Sequence, residues 1–148
     1  MRRIAVRAII ADGDKLLLVR HKPYHNKPAS EFFCTVGGGL DLSESLIEGI
    51  KREVLEETGV EAVVGKLIFV QQYRERQMGQ DVIEFFFHIT NTKDFENIDL
   101  GSSSHGDEEI EEVGFYNPKE ISVLPEFLRE VDIQKALAEP EAIIFNYL

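Results

Sequence analysis

GGLDLSESLIEGIKREVLEETGV, residues 38–60, decides the fold of this chain, because a glycine turn runs there into one helix carrying both a packing face and an acid cluster. At 100° per residue, Glu53, Glu56 and Glu57 fall within one arc through their i, i+3, i+4 spacing. Ile47, Ile50 and Val54 form the neighbouring apolar stripe. Ser45 is placed as an N-cap with Glu48 as its capping-box partner. Gly59 stands where a left-handed residue ends a helix, so the spacing predicts a helix over about 46–58. Gly49 lies inside it at a cost of roughly 1 kcal/mol relative to alanine. On the helical wheel Gly49 falls between Glu53 and Glu56, which predicts room there for a ligand. Upstream, Gly37, Gly38 and Gly39 follow a strand-like run, 32–36, so that backbone can approach a phosphate or turn a carbonyl toward a metal.

Carboxylates at i, i+3 and i, i+4 repel one another by a few tenths of a kcal/mol each. A hard cation would remove that penalty, and an all-oxygen donor set favours Mg²⁺ or Mn²⁺ over zinc. The acid spacing alone favours a solvated helix face. The glycines, the caps and the acids together carry more. Gly38, five residues, Glu44, seven residues, then Arg52-Glu53-Val54, one residue, Glu56-Glu57, one residue and Gly59-Val60 resembles the Nudix box at every defined position.

The resemblance implies an α/β/α sandwich with a mixed β-sheet, a single domain over residues 1–148, and hydrolysis of a nucleoside diphosphate linked to another moiety. It implies Mg²⁺, with Mn²⁺ as the alternative, held by Glu53, Glu56, Glu57 and the backbone at Gly38. Arg52 stays protonated and is expected to position a box glutamate. Glu44 is divided evenly between a structural role and a further metal. A catalytic glutamate is expected shortly before the last strand, where Glu108, Glu109, Glu111 and Glu112 compete and Glu109 is placed first. Arg20 at the end of a strand is expected to reach phosphate, Gly38 and Gly39 to contact substrate, and Tyr73, Arg74 and Arg76 to carry specificity. His21, His25 and His105 are read as loop residues, without metal-ligand spacing.

Two subfamily signs are missing. No proline lies between Pro28 and Pro118, where ADP-ribose hydrolases carry one, and Tyr73 comes too early for the dinucleoside polyphosphate marker. Val36 also replaces the proline that commonly precedes the paired glycines. A MutT-like nucleoside triphosphate pyrophosphohydrolase therefore leads, ahead of an ADP-ribose or nucleotide-sugar pyrophosphatase and a non-catalytic nucleotide sensor. An isomerase is disfavoured because Cys34 is the only cysteine, and a diphosphoinositol because the chain offers little positive charge.

Outward from the box, 148 residues with 43% hydrophobic content suffice for one core. A formal charge of −11 argues against nucleic acid as a partner and leaves a small nucleotide. Cys34 in an apolar run reads as a buried thiol. Without a leader or an apolar span, the expectation is a cytoplasmic protein with no membrane partner. Residues 4–11 and 15–20 predict two strands around Asp12-Gly13-Asp14. Residues 62–74 and 81–90 predict two more, the latter with Phe85, Phe86 and Phe87 supplying both faces. Residues 91–109 read as a mobile lid-like loop, 111–116 as a strand and 118–121 as a turn. Residues 124–138 predict one amphipathic helix burying Leu124, Phe127, Leu128, Val131 and Leu137. The apolar tail, 142–148, either packs on the domain or forms a subunit contact, leaving a homodimer open.

Overall fold

The computed structural model describes residues 2–23 and 28–148, so the expectation for His25 falls outside the described residues. The strands are β1 (Arg2–Ile9), β2 (Ala11–Asp12), β3 (Lys15–His21), β4 (Cys34–Thr35), β5 (Gly37–Gly39), β6 (Val64–Glu75), β7 (Gln80–Ile89), β8 (Ile110–Tyr116) and β9 (Ile143–Asn146). Helix α1 spans Leu46–Thr58, α2 Gly106–Glu109 and α3 Ile133–Ala138. One sheet has the order β5-β1-β7-β6-β9 and is mixed, because β1 runs parallel to β7 and β9 parallel to β6. The other joins β2, β3 and β4, with β8 also on β3. This is the mixed α/β architecture the sequence predicts.

The predicted first strand is divided. Its N-terminal part, β1, sits inside the mixed sheet, and only Ala11 and Asp12 turn back on β3 through Gly13 at φ +61°. Ile10, between the two, is fully buried and its carbonyl receives the Leu17 N–H at 2.9 Å. The chain thus changes sheets at one residue, and strand period alone gives no sign of it.

Two apolar clusters result from the alternation of side chains along each strand. Leu17 and Val19 join Val6, Ala8, Phe87, Ile50 and Val54 beneath α1. Leu16 and Leu18 join Ile9, Phe69, Phe86, Phe127 and Ile133 on the other side. Phe86 faces one cluster and Phe87 the other, as the aromatic run predicts. Ile47, placed by the wheel in the packing stripe, is instead 41% exposed, and Leu46 takes part in the cluster.

Two predicted elements form differently. The single helix over 124–138 is a 3₁₀ turn at Glu126–Arg129 followed by α3. Asp132 interrupts it by accepting the Lys135 N–H at 3.1 Å, which makes it an N-cap rather than an interior residue. Leu124 lies outside, 38% exposed. Residues 91–109 carry two 3₁₀ turns and α2 instead of an open loop. Phe95 anchors the segment in the core, and Asn91 satisfies Val63 N–H and Glu61 C=O with its side chain. Scattered polar side chains thus replace a periodic ladder. The tail packs on the domain as β9, adding an edge strand to β6. Among the described residues no helix is long and apolar enough to cross a membrane.

Candidate functional site

Helix α1 begins as its sequence requires. The Ser45 hydroxyl accepts the Glu48 N–H at 3.1 Å, the Glu48 carboxylate accepts the Ser45 N–H at 2.9 Å, and Gly59 closes the helix at φ +76°. The apolar stripe then fixes the rotation of α1 over β1 and β5, and the acid arc falls above the glycine strand. Gly38 is shaped to that contact, because a Cβ there would lie 2.8 Å from Glu53 Oε1.

The space left by Gly49 is already filled. A Cβ at Gly49 would collide with Leu40 Cδ1 and lie 3.1 Å from Glu44 Oε1, so the missing side chain admits Leu40 rather than a ligand. The wheel shows direction around one helix but not what another segment packs into it.

Arg52 is the hub of the acid arc. Its Nε donates to Glu44 Oε2 at 2.7 Å and Nη2 to Glu44 Oε1 at 2.9 Å. Nη1 donates to Glu53 Oε1 at 3.0 Å and Glu56 Oε2 at 3.2 Å, while Nη2 also reaches the Gly39 carbonyl at 3.1 Å. A planar fork with several donors can hold this many acceptors, which an ammonium cannot. Glu44 has both oxygens engaged, and its hydrogen bond to Arg52 holds its carboxyl below the usual range. These contacts are the ones a structural role for Glu44 requires.

Glu57 receives no such help. It is 3% exposed and its Oε2 has no hydrogen-bond partner. Burial, then the charge of Glu53, push its carboxyl well above the usual range, against the opposing pull of Arg7 and the Gly37 N–H. Burial also raises Glu53, which Arg52 opposes. Among the described residues no three acid, histidine or cysteine side chains converge as a ready ion cage. The residues nonetheless suit a hard cation: the donors are all oxygen, one buried carboxylate oxygen is unpaired, and the missing side chain of Gly38 lets the Glu53 carboxylate lie against the glycine backbone.

The segment 91–109 brings the competing glutamates to this place unequally. The His105 N–H donates to the Glu56 carbonyl at 2.9 Å, joining α2 to the end of α1. Glu109, partly buried, is close enough for its charge to raise Glu57, whereas Glu108 and Glu111 are exposed. His105 Nδ1 lies 3.6 Å from Glu56 Oε2. His21 is not a loop residue but the last of β3, opposite Ile110.

The expected substrate residues are dispersed. The guanidinium of Arg20 lies over the Phe33 ring, 5.9 Å from its centroid, and does not pair with the box acids. Arg74 is 63% exposed and pairs with Asp81 at 2.8 Å. The Tyr73 hydroxyl donates to Glu84 Oε1 at 3.0 Å, and burial, then Glu84, push it up to about 12. A groove of about 480 Å³ at the end of β6 is lined by Tyr73, Arg74, Arg76, Tyr147 and Leu148. Cys34 is half-buried, and burial pushes its thiol up to about 11, away from nucleophilic use.

Sequence reasoning missed Arg7 and Glu84. Arg7 Nε donates to Glu84 Oε2 at 3.0 Å, and Glu84 is 4% exposed. The available signal was a charged residue at a buried register inside an apolar strand run, in β1 and again in β7.

Known proteins share this fold. The E. coli ORF135 protein aligns over 95% of both chains with a TM-score of 0.68 at 24% identity. The MutT protein of Methanosarcina mazei Go1 aligns over 87% of this chain and 88% of its own, with a TM-score of 0.65 at 23% identity. At that identity the likeness establishes the fold. A protein of Methanocaldococcus jannaschii named ADP-ribose pyrophosphatase is 33% identical over 84 residues, 57% of this chain. The match spans only 48% of that relative's length. The NUDIX domain family model matches residues 1–137, and this chain, whose box helix stands over its glycine strand as the motif requires, belongs to the NUDIX family.

Proposed function

We propose that the chain is a divalent-metal-dependent pyrophosphohydrolase that opens the diphosphate linkage of a nucleoside diphosphate derivative, acting as a single domain. The observation that carries this reading is Glu57, a buried carboxylate with one unpaired oxygen beside Glu53. An ionised group so placed is costly unless it has a cation to meet. Glu53, Glu56 and Glu57 would hold the ion, with backbone at Gly38 beside them. When bound, Mg²⁺, or Mn²⁺ in its place, supplies a lowered water pKa and screens charge on the departing phosphate. Arg52 keeps Glu53 and Glu56 oriented from the side. Glu109, next to Glu57, is the group to take a proton from the attacking water. Gly38 and Gly39 let the diphosphate approach the backbone closely.

A nucleoside triphosphate of the MutT-like kind is the leading substrate class, and the groove at Tyr73, Arg74 and Arg76 offers aromatic and cationic contacts for a nucleotide. ADP-ribose is the second reading, favoured by the name of the M. jannaschii relative. The test is product analysis with Mg²⁺ on canonical and oxidised nucleoside triphosphates, ADP-ribose, NADH, diadenosine polyphosphates and nucleotide sugars, with Glu57→Gln in parallel. Cleavage of one class that disappears in the variant is expected. Turnover that Glu57→Gln leaves unchanged refutes the reading.

A further inference from the structure

We infer that Arg7, anchored by Glu84, is a positioning residue that holds the glycine strand under the box helix and so sets the divalent-cation affinity of the site; this rests on the metal-dependent reading above. Arg7 lies on β1, between β5 and β7 in the mixed sheet, on the face away from α1's apolar cluster. Its Nη1 donates to two carbonyls, Thr35 and Gly37, each at 3.2 Å. Thr35 belongs to the second sheet and Gly37 to the mixed sheet, so one guanidinium spans the point where the chain passes between them. The Gly37 N–H in turn is near enough to Glu57 to pull its carboxyl down. Arg7 therefore holds the two peptides, 35–36 and 37–38, that flank the one whose N–H is turned to Glu57.

The grip leaves little freedom. Gly37 has φ +148°, and a Cβ there would run into the Val6 carbonyl and lie 2.9 Å from the Arg7 Cα, so β1 presses directly on the glycine strand. Glu84 is fixed at both oxygens, by Arg7 Nε on one and the Tyr73 hydroxyl on the other. A buried ion pair of this kind adds little net stability compared with apolar side chains of similar volume. Its geometric effect is larger, because a fork that donates to a carboxylate and to two carbonyls fixes their mutual positions. Groups that orient metal ligands from behind typically control affinity by about 10–100-fold.

Two variants test this. Arg7→Lys keeps a cation against Glu84 but offers a single nitrogen in place of the fork. Arg7→Met combined with Glu84→Gln removes both buried charges together, so that neither is left unpaired. Mn²⁺ affinity is measured without substrate, by the electron paramagnetic resonance signal of the free ion, together with kcat, KM and the thermal midpoint in EDTA. Both variants are expected to bind Mn²⁺ at least about tenfold more weakly, with kcat falling more than KM changes. If the double variant does not fold, Arg7→Lys alone decides. Affinity and kcat within about twofold of the parent in a folded variant overturn the inference. Glu57→Gln separates the two readings: if it also leaves Mn²⁺ affinity unchanged, the metal-dependent reading falls with the inference, and if it abolishes binding while the Arg7 variants do not, only the inference falls.

Discussion

Glu57→Gln is expected to make the metal-free protein more stable and the metal-loaded protein less so. Glu57 is buried with Oε2 unpaired, and an unmet buried acceptor costs roughly 1–3 kcal/mol, more when charged. The neutral amide keeps the shape and removes both the charge and the repulsion from Glu53, so a net gain of about 1–2 kcal/mol is expected. For a chain of this size each kcal/mol moves the thermal midpoint by about 2–4 °C, giving about 2–8 °C in EDTA at neutral pH. The sign with pH follows from the raised carboxyl. The native state holds its proton more tightly than the unfolded chain, so stability from this group is complete below the ordinary glutamate pKa and is lost as pH rises toward the native value. The advantage of the variant should therefore shrink as pH falls into the ordinary carboxylate range. Saturating Mg²⁺ should reverse the order, since ligand at 100 times its Kd adds about 2.7 kcal/mol to the parent alone. Differential scanning calorimetry at two pH values, with EDTA and with Mg²⁺, reads all of this. A variant that melts below its parent in EDTA at neutral pH, and gains as much from Mg²⁺, refutes the reasoning.

Gly49→Ala, which in an exposed helix would be stabilising by roughly 1 kcal/mol, should here cost about 1–3 kcal/mol because the methyl meets Leu40; a chemical-denaturation midpoint at or above the parent would contradict this. Gly38→Ala and Gly37→Ala should separate function from fold. The first displaces Glu53 and weakens Mn²⁺ binding with little change in melting, whereas the second strains a φ of +148° against β1 and lowers the midpoint, both checked by titration and scanning calorimetry. Glu109→Gln is expected to lower kcat by about 10²–10⁴-fold and to leave Mn²⁺ affinity near that of the parent, while Glu108→Gln changes neither; steady-state kinetics showing the reverse order would exchange their roles.

What could be read from the sequence was local in origin. The bounds of α1 follow from Ser45, Glu48 and Gly59, all within the helix or at its ends, and the acid arc follows from spacing alone. The strands from 64 to 89 follow from β-branched and aromatic runs, and the aromatic triplet correctly predicts a strand covered on both faces. What could not be read depends on partners distant in the chain. Ile47 and Gly49 were misplaced because the wheel does not know that Leu40 folds back beneath the helix. Residues 91–109 have no period because their order comes from single, unevenly spaced anchors: Phe95 in the core, and Asn91 and Asp99 on backbone groups. Arg7 and Glu84 are 77 positions apart, and only the parallel pairing of β1 with β7 makes them neighbours.

The same division explains how the site is balanced. Arg52 donates hydrogen bonds to Glu44, Glu53 and Glu56 through contacts within the box and its helix, so each of those acids has a partner within the motif itself. Glu57 lies beyond that reach, and apart from Glu53 on its own helix its surroundings come from β1, β5 and α2. On the proposed function, a chain with net charge −11 would attract a phosphate anion against its own field, so the positive charge would have to be supplied locally. Leaving one buried carboxylate oxygen without a partner makes the metal-free site energetically incomplete, and on the proposed reading a divalent cation would relieve the burial cost and reverse the local sign of charge together. Metal binding should accordingly raise the thermal midpoint even without nucleotide, and that gain should be lost in Glu57→Gln while persisting in Glu108→Gln.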